Sequence, residues 1–166
     1  MAISIRLVSS ALAGLALAGC ATVGLIGLKP GQSTEADVRR ALGEPARTYP
    51  QPDGSRQLVY PTGPAGTQTY MARVSASGTL VALDQALVEE RFRMLTPGTT
   101  TAEEVERLIG PPWQKIDFPN KGQVAWDYVY RDTWDYIVDL SVMVDRRGIV
   151  AETVHARRNP KDTGHM

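Results

Sequence analysis

Few residues of this chain could act in catalysis or bind a metal ion. The histidines are His155 and His165, and neither is accompanied by a nucleophile at a recognisable spacing. Cys20 is the single cysteine, which rules out an intramolecular disulfide and a zinc site built on cysteines. Asp135 and Asp139 fall on one face of a predicted strand, and a solvated strand face explains them better than a paired-carboxylate site. The sequence therefore predicts no enzyme, no metal site and no cofactor.

Cys20 is the most informative of these residues because of what precedes it. Residues 1–19 begin with one positive charge and continue with an apolar run too short to span a bilayer, as in a signal peptide that is removed. The three residues before the cysteine match a bacterial lipobox: Leu17, Ala18 and Gly19. In a lipobox the thiol is acylated, for example with palmitate, and each buried methylene contributes about 0.8 kcal/mol to anchoring. The alternative is an ordinary secretory signal with a cysteine nearby by chance.

An internal repeat is the second feature of the sequence. The stretch GQSTEADVRRALGEP at 31–45 returns as GTTTAEEVERLIGPP at 98–112. Identical residues stand at matching positions in the two copies: Gly31/Gly98, Thr34/Thr101, Val38/Val105, Arg40/Arg107, Gly43/Gly110 and Pro45/Pro112. Each copy is typical of a short helix, with a threonine and an acid forming a capping box and a glycine and a proline ending it. A helix this short is unstable alone in water, so each must pack on another element.

Runs of alternating apolar and polar residues follow each helix and predict antiparallel strands. They lie at 56–60, 68–75 and 79–86 in the first copy and at 123–131, 134–145 and 149–155 in the second, where a short strand is also expected between the helix and these three. The sequence therefore predicts an α+β fold of two tandem repeats, each a short helix packed on a small antiparallel β-meander. The predicted parts are a signal peptide at 1–19, a lipidated cysteine and short linker at 20–27, a first repeat at 28–87, a connecting segment at 88–94, a second repeat at 95–158 and a flexible tail at 159–166.

Aromatic residues concentrate between 113 and 136. Val124, Trp126 and Tyr128 are predicted to form core beneath the second helix. Three further aromatics near the tip of a predicted hairpin are candidates for a partner-binding patch: Tyr130, Trp134 and Tyr136. Exposed Trp and Tyr side chains are enriched at binding hot spots, which favours such a patch. The same side chains could instead pack against the first repeat.

The second repeat resembles the SmpA/OmlA (BamE-like) family of outer-membrane lipoproteins. The residues that carry the resemblance lie between 95 and 156: Gly98, Thr101, Glu104, Val105, Ile109, Gly110, Pro112, Trp126, Tyr128, Tyr130, Asp145, Gly148 and Val150. The first repeat matches through a shorter set, and Tyr60 stands where the family pattern has tryptophan. The best-known member of the family carries one such domain, so the duplication is a departure.

The resemblance implies an accessory factor in the assembly of outer-membrane β-barrel proteins, held in the inner leaflet of the outer membrane by its lipid and facing the periplasm. Its expected partner is the β-barrel assembly machinery. Nucleic acid is not expected, because 18 basic and 18 acidic residues leave no net charge. Tandem units of helix and sheet also resemble β-lactamase inhibitory proteins, so a protein inhibitor or sensor of a periplasmic enzyme is the alternative. An aromatic, concave free sheet face would favour the inhibitor, whereas aromatics at edges and loops would favour the assembly factor.

Overall fold

The computed structural model of the chain describes residues 27–159. Its helices are α1 (Glu35–Leu42), α2 (Glu89–Phe92) and α3 (Ala102–Ile109). Its strands are β1 (Arg47–Pro50), β2 (Arg56–Pro61), β3 (Thr69–Val74), β4 (Leu80–Gln85), β5 (Gln114–Phe118), β6 (Gln123–Arg131), β7 (Ile137–Asp145) and β8 (Val150–Arg157). Strands β1 to β4 form one antiparallel sheet and β5 to β8 a second, each in sequence order.

Helices α1 and α3 begin and end as the repeat predicts. The side chain of Thr34 accepts a hydrogen bond from the amide of Asp37, whose carboxylate accepts one from the amide of Thr34. Thr101 and Glu104 form the same capping box at the start of α3. The glycine after each helix has a positive φ, of 83° and 88°: Gly43 and Gly110. The predicted capping boxes and glycine ends are confirmed.

The first sheet has a helix against each of its faces. One face packs on α1 through a buried cluster: Val38, Leu58, Tyr60, Ala72, Val74 and Leu80. The other face carries Val59 and Met71, and α3 lies against it. Gln57 Nε2 of this sheet donates a hydrogen bond of 2.7 Å to the backbone oxygen of Arg107 in α3. The sequence assigned each helix to one sheet, whereas α3 contacts both.

The second sheet packs against α3 and α2. Val105 and Ile109 of α3 are fully buried, and Phe92 at the end of α2 is 5% exposed. These side chains join the apolar face of the sheet in one cluster: Trp126, Tyr128, Tyr130, Val138, Leu140, Val142, Val144 and Val150. Val124 packs against the same cluster, so the predicted core positions on β6 are confirmed.

The predicted α+β class is wrong, because the described chain is mainly β. The helices have 8, 4 and 8 residues, and α1 and α3 bury only Val38, Val105 and Ile109. The structure is also not a pair of helices on small meanders, because β1 pairs with β2 and β5 pairs with β6, so each sheet has four strands. The first strand of each sheet is short and mostly exposed, so its sequence carries too little apolar alternation to indicate a strand.

Candidate protein-binding surface

The turn between β6 and β7, residues 132–136, is built around the carboxylate of Asp132. Its Oδ1 accepts the amides of Trp134 at 2.9 Å and Tyr136 at 3.0 Å. Its Oδ2 accepts Nε of Arg157 at 2.7 Å, and the side chain is only 5% exposed. Burial pulls the pKa of Asp132 upward, but the two amides and the guanidinium together outweigh burial, and the pKa lies below its ordinary value. The carboxylate therefore stays charged and holds the turn in one conformation.

Asp135 closes this turn in a left-handed conformation, with φ of 63°. Few residues other than glycine adopt this region, and aspartate is among those that tolerate it. The amide of Asp135 donates to the backbone oxygen of Asp132 at 2.9 Å, and its carboxylate accepts Nη1 of Arg131 at 3.1 Å. The strand predicted at 134–145 consequently begins only at Ile137.

Trp134 and Tyr136 project from the turn into solvent. Trp134 is 75% exposed and Tyr136 is 45% exposed. The guanidinium carbon of Arg157 lies 4.7 Å from the centre of the Tyr136 ring, within the range of a cation–π contact. The pair therefore offers two aromatic rings on a backbone that is already ordered, which is a geometry suited to binding another protein.

Tyr130 lies away from this surface, although the sequence groups it with the turn. Its ring is 4% exposed and packs edge-on against Phe92, with the ring centres 4.6 Å apart. Its hydroxyl is 3.0 Å from Nδ1 of His155. Burial raises the pKa of Tyr130 and lowers the pKa of His155, and the charge of Glu89 opposes the second shift. The even-numbered residues of β6 face the core. Tyr130 is therefore a core residue and is removed from the candidate surface.

A second exposed apolar region lies on and before β5, in the place where the sequence predicted a short strand without giving its bounds. Trp113, Ile116 and Phe118 are each about two-fifths exposed, at 42%, 42% and 41%. Trp113 lines a recess of about 340 Å³ at the junction of the two sheets, together with prolines of both halves: Pro61, Pro64, Pro111 and Pro112. The alternation of Ile116 and Phe118 was the sequence signal that could have located β5, but it spans too few residues to be distinguished from chance.

Two absences apply to the described part of the chain. Among residues 27–159, no three or more His, Cys, Asp or Glu side chains are grouped so as to hold a metal ion. Within the same residues, no helix has the length and apolar character needed to cross a membrane. The predicted lipobox of Leu17, Ala18 and Gly19, the acylated Cys20 and most of the tail at 159–166 lie outside the described residues, so lipidation stays a prediction.

Comparison with known proteins identifies no family for this chain. No protein-family model matches the sequence, and no curated protein matches it. Among solved structures, the chain is similar to the crystal structure of a DUF4309 family protein (YjgB) from Bacillus subtilis subsp. subtilis str. 168, at 22% identity over 80% of this chain and 83% of that chain. The TM-score is 0.31, which is too low to support an argument about fold or function. The resemblance to SmpA/OmlA lipoproteins is not tested by these matches.

Proposed function

We propose that this chain is a lipid-anchored, periplasm-facing binding or scaffold protein of the outer membrane that assists the assembly of β-barrel proteins. The observation that carries the proposal is Trp134, which is 75% exposed at a turn held by Asp132. An aromatic ring on a fixed backbone loses little conformational entropy when a partner covers it. The lipobox and Cys20 supply the membrane anchor, and the BamE-like pattern of the repeat supplies the class of partner.

The free face of the second sheet supports this proposal over an enzyme inhibitor. At the centre of that face, Ser141 Oγ donates to Asp127 Oδ1 at 2.7 Å and Gln114 Nε2 donates to Asp127 Oδ2 at 2.9 Å. The centre of the face is therefore polar, whereas Ile116 and Phe118 of β5 lie on the same face at its edge. The exposed aromatics of the described chain lie away from this centre: Trp134 and Tyr136 in the 132–136 turn, Phe118 on the edge strand β5, and Trp113 just before that strand. This distribution is the one that the sequence analysis associated with an assembly factor.

The proposal is tested by crosslinking in cells from a photoreactive amino acid at position 134, followed by identification of the captured proteins in the outer-membrane fraction. We expect capture of components of the β-barrel assembly machinery. The matched control places the same amino acid at position 81, because Val81 is 45% exposed on the first sheet, away from the turn. The control should not capture those components.

Two results would contradict the proposal. Capture of a soluble periplasmic enzyme from position 134 would favour the inhibitor, and capture of nothing would show that the exposed tryptophan has no stable partner. The anchor is tested separately with Cys20→Ser, which removes the acylated thiol. This variant should move from the membrane fraction to the soluble fraction, and retention in the membrane would exclude the lipid anchor.

A further inference from the structure

The recess of about 340 Å³ at the junction of the two sheets takes its walls from both repeats. Seven of its twelve lining residues come from the first repeat, between Ala46 and Leu87, and five come from the second, between Pro111 and Val129. Ligand pockets of proteins usually have volumes of about 300–1,000 Å³ and often lie between structural units. The recess therefore has the size and the place of a small-molecule site.

The recess lies where the two edge strands β1 and β5 begin. The amides of Ala46 and Trp113, just before these strands, donate to backbone oxygens of β2 and β6 at 2.9 Å and 3.0 Å. Each of these residues follows a proline, which has no amide hydrogen, so the pairing along the edge goes no further. Pro61 and Val129 come later along β2 and β6, beyond this pairing, and both line the recess. The gap is therefore built into both sheets by the positions of the prolines.

The lining of the recess carries no charge. None of its twelve residues is an aspartate, glutamate, lysine, arginine or histidine, and Tyr128 is its one titratable side chain. Burial raises the pKa of Tyr128 well above its ordinary value, and its hydroxyl donates to the backbone oxygen of Gly110 at 3.0 Å. An ionised ligand would lose its hydration here without gaining a partner of opposite charge. The lining therefore selects an uncharged ligand.

Thr69 supplies a polar group in this apolar lining. The residue is 2% exposed, its amide donates to Gln85 Oε1 at 2.9 Å, and its backbone oxygen accepts the amide of Ala86 at 2.7 Å. Within residues 27–159 its hydroxyl forms no hydrogen bond. A hydroxyl that is withdrawn from bulk water without a partner is unfavourable. A ligand with one hydroxyl or N–H group would satisfy it.

The rigid walls of the recess favour a flat ring over a flexible chain. Four of the lining residues are prolines, whose φ is fixed, and Trp113 adds an indole that is 42% exposed. A ring system stacks on an indole and loses little conformational entropy on binding, whereas an acyl chain loses its rotamer freedom. A peptide would find few backbone partners, because the prolines have no amide hydrogen to donate.

We propose that the junction recess binds a small uncharged aromatic molecule of the phenol or indole class, with its ring against Trp113 and its hydroxyl or N–H group on the hydroxyl of Thr69. The apolar walls supply most of the binding, and the single hydroxyl orients the ligand, as in other small-molecule sites. The recess needs neither the lipid anchor nor the 132–136 turn, so this ligand is additional to the protein partner of the proposed function.

The test titrates 2-naphthol into the ¹⁵N-labelled full chain in detergent solution and follows the amide chemical shifts. These shifts report ligand on the protein rather than ligand in the micelle. We expect saturable shifts at residues that line the recess, including Gly63, Gly66 and Val129, and at the indole N–H of Trp113. The charged analogue 2-naphthalenesulfonate has the same rings, and we expect it to bind at least about tenfold more weakly.

Three variants separate the ring contact from the hydrogen bond. Trp113→Ala should weaken the binding of 2-naphthol by about tenfold. Ile116→Ala is the matched control, because Ile116 has the same exposed fraction of 42% but does not line the recess, and its affinity should change by less than about twofold. Thr69→Val removes the hydroxyl and keeps the side-chain shape. It should weaken 2-naphthol by about fivefold and leave naphthalene, which has no hydroxyl, unchanged.

The comparison of 2-naphthol, naphthalene and the sulfonate on the unmodified chain decides the question even where a variant fails to fold. Four outcomes would overturn the proposal: no saturable shift at millimolar 2-naphthol, shifts only outside the recess, equal affinity for the sulfonate, or tighter binding of 1-decanol, which would assign the recess to an acyl chain. Crosslinking from position 134 does not depend on the recess, so a failure here is distinguishable from a failure of the proposed function.

Discussion

Gln57 in the first sheet donates a hydrogen bond of 2.7 Å from Nε2 to the backbone oxygen of Arg107 in α3. The last carbonyls of a helix have no partner within the helix and must find one elsewhere. Arg91, just before the end of α2, donates to the next carbonyl, that of Leu108, at 2.9 Å. Tyr128 of the second sheet donates to the carbonyl of the glycine that ends α3, at 3.0 Å. Side chains from both sheets and from α2 therefore meet at the end of one short helix.

Removing Gln57 should weaken this junction. Gln57→Ala leaves the Arg107 carbonyl without its donor in a partly buried place, and we expect a loss of about 1–2 kcal/mol in the free energy of unfolding. Gln32→Ala is the control, because Gln32 is exposed before α1, and a substitution there should change stability by less than about 0.5 kcal/mol. Urea unfolding of the three proteins makes the comparison. Equal midpoints would mean that water replaces the side chain at no cost.

The two glycines that end α1 and α3 give a matched pair. Gly43 and Gly110 have φ of 83° and 88°, so alanine at either site should cost about 1–2 kcal/mol in backbone strain. A Cβ on Gly43 meets nothing within 4 Å, whereas a Cβ on Gly110 would lie 2.8 Å from Thr69 Cγ2 and 3.2 Å from Val59 Cγ1. Gly110→Ala should therefore cost a further amount of about 1–3 kcal/mol from overpacking. Thermal unfolding measures the loss of stability in both variants. Equal losses would show that Thr69 and Val59 do not pack closely against the end of α3.

Local signals in the sequence predicted local structure well. The capping boxes of Thr34 and Thr101 and the glycines after each helix lie within a few residues of the groups they satisfy, so the pattern alone reveals them. The contact between Gln57 and Arg107 joins residues far apart in the chain, and no local spacing of residue types predicts it. The mainly β class was missed for a related reason: β1 and β5 are ordered by pairing with β2 and β6, and their own residues carry little apolar alternation.

The geometry of the candidate surface at 132–136 was also not predictable from the local sequence pattern. Period-two alternation placed Trp134 and Tyr136 on one strand face with the core residues of β7. The left-handed conformation of Asp135 and the hydrogen bonds to Asp132 end the strand at Ile137 and turn both rings outward. A single aspartate with positive φ is weakly encoded by residue type, so the sequence predicted the aromatic tip but not its geometry.

Asp37 should titrate at unusually low pH. The backbone amide of Thr34, then the Thr34 hydroxyl and the Arg40 guanidinium, lower the pKa of Asp37 from 3.8 to about 2. The stabilisation from this group is complete above pH 3.8 and is lost as the pH falls toward 2. Carboxyl carbon chemical shifts followed by NMR give the pKa directly. Thr34→Ala should raise this pKa toward its ordinary value, and an unchanged pKa would mean that the hydroxyl contributes little to the capping box.

Replacement of Trp126 and of Trp134 by alanine should have very different effects on the free energy of unfolding. Trp126 is 8% exposed in the core cluster, with Lys115 Nζ 3.7 Å from its ring centre, whereas Trp134 is 75% exposed. Trp126→Ala should lower the free energy of unfolding by about 3–5 kcal/mol because it leaves a cavity. Trp134→Ala should change it by less than about 0.5 kcal/mol, since its ring is mostly in water.

Urea unfolding measures both variants, and iodide quenching should show that the quenchable emission falls in Trp134→Ala. A large loss of stability on removing Trp134 would place its ring against the protein and would remove the basis for a partner-binding surface at this turn. A stable Trp134→Ala variant that no longer captures partners would assign the ring to binding alone, because its fold would be intact while its interaction is lost.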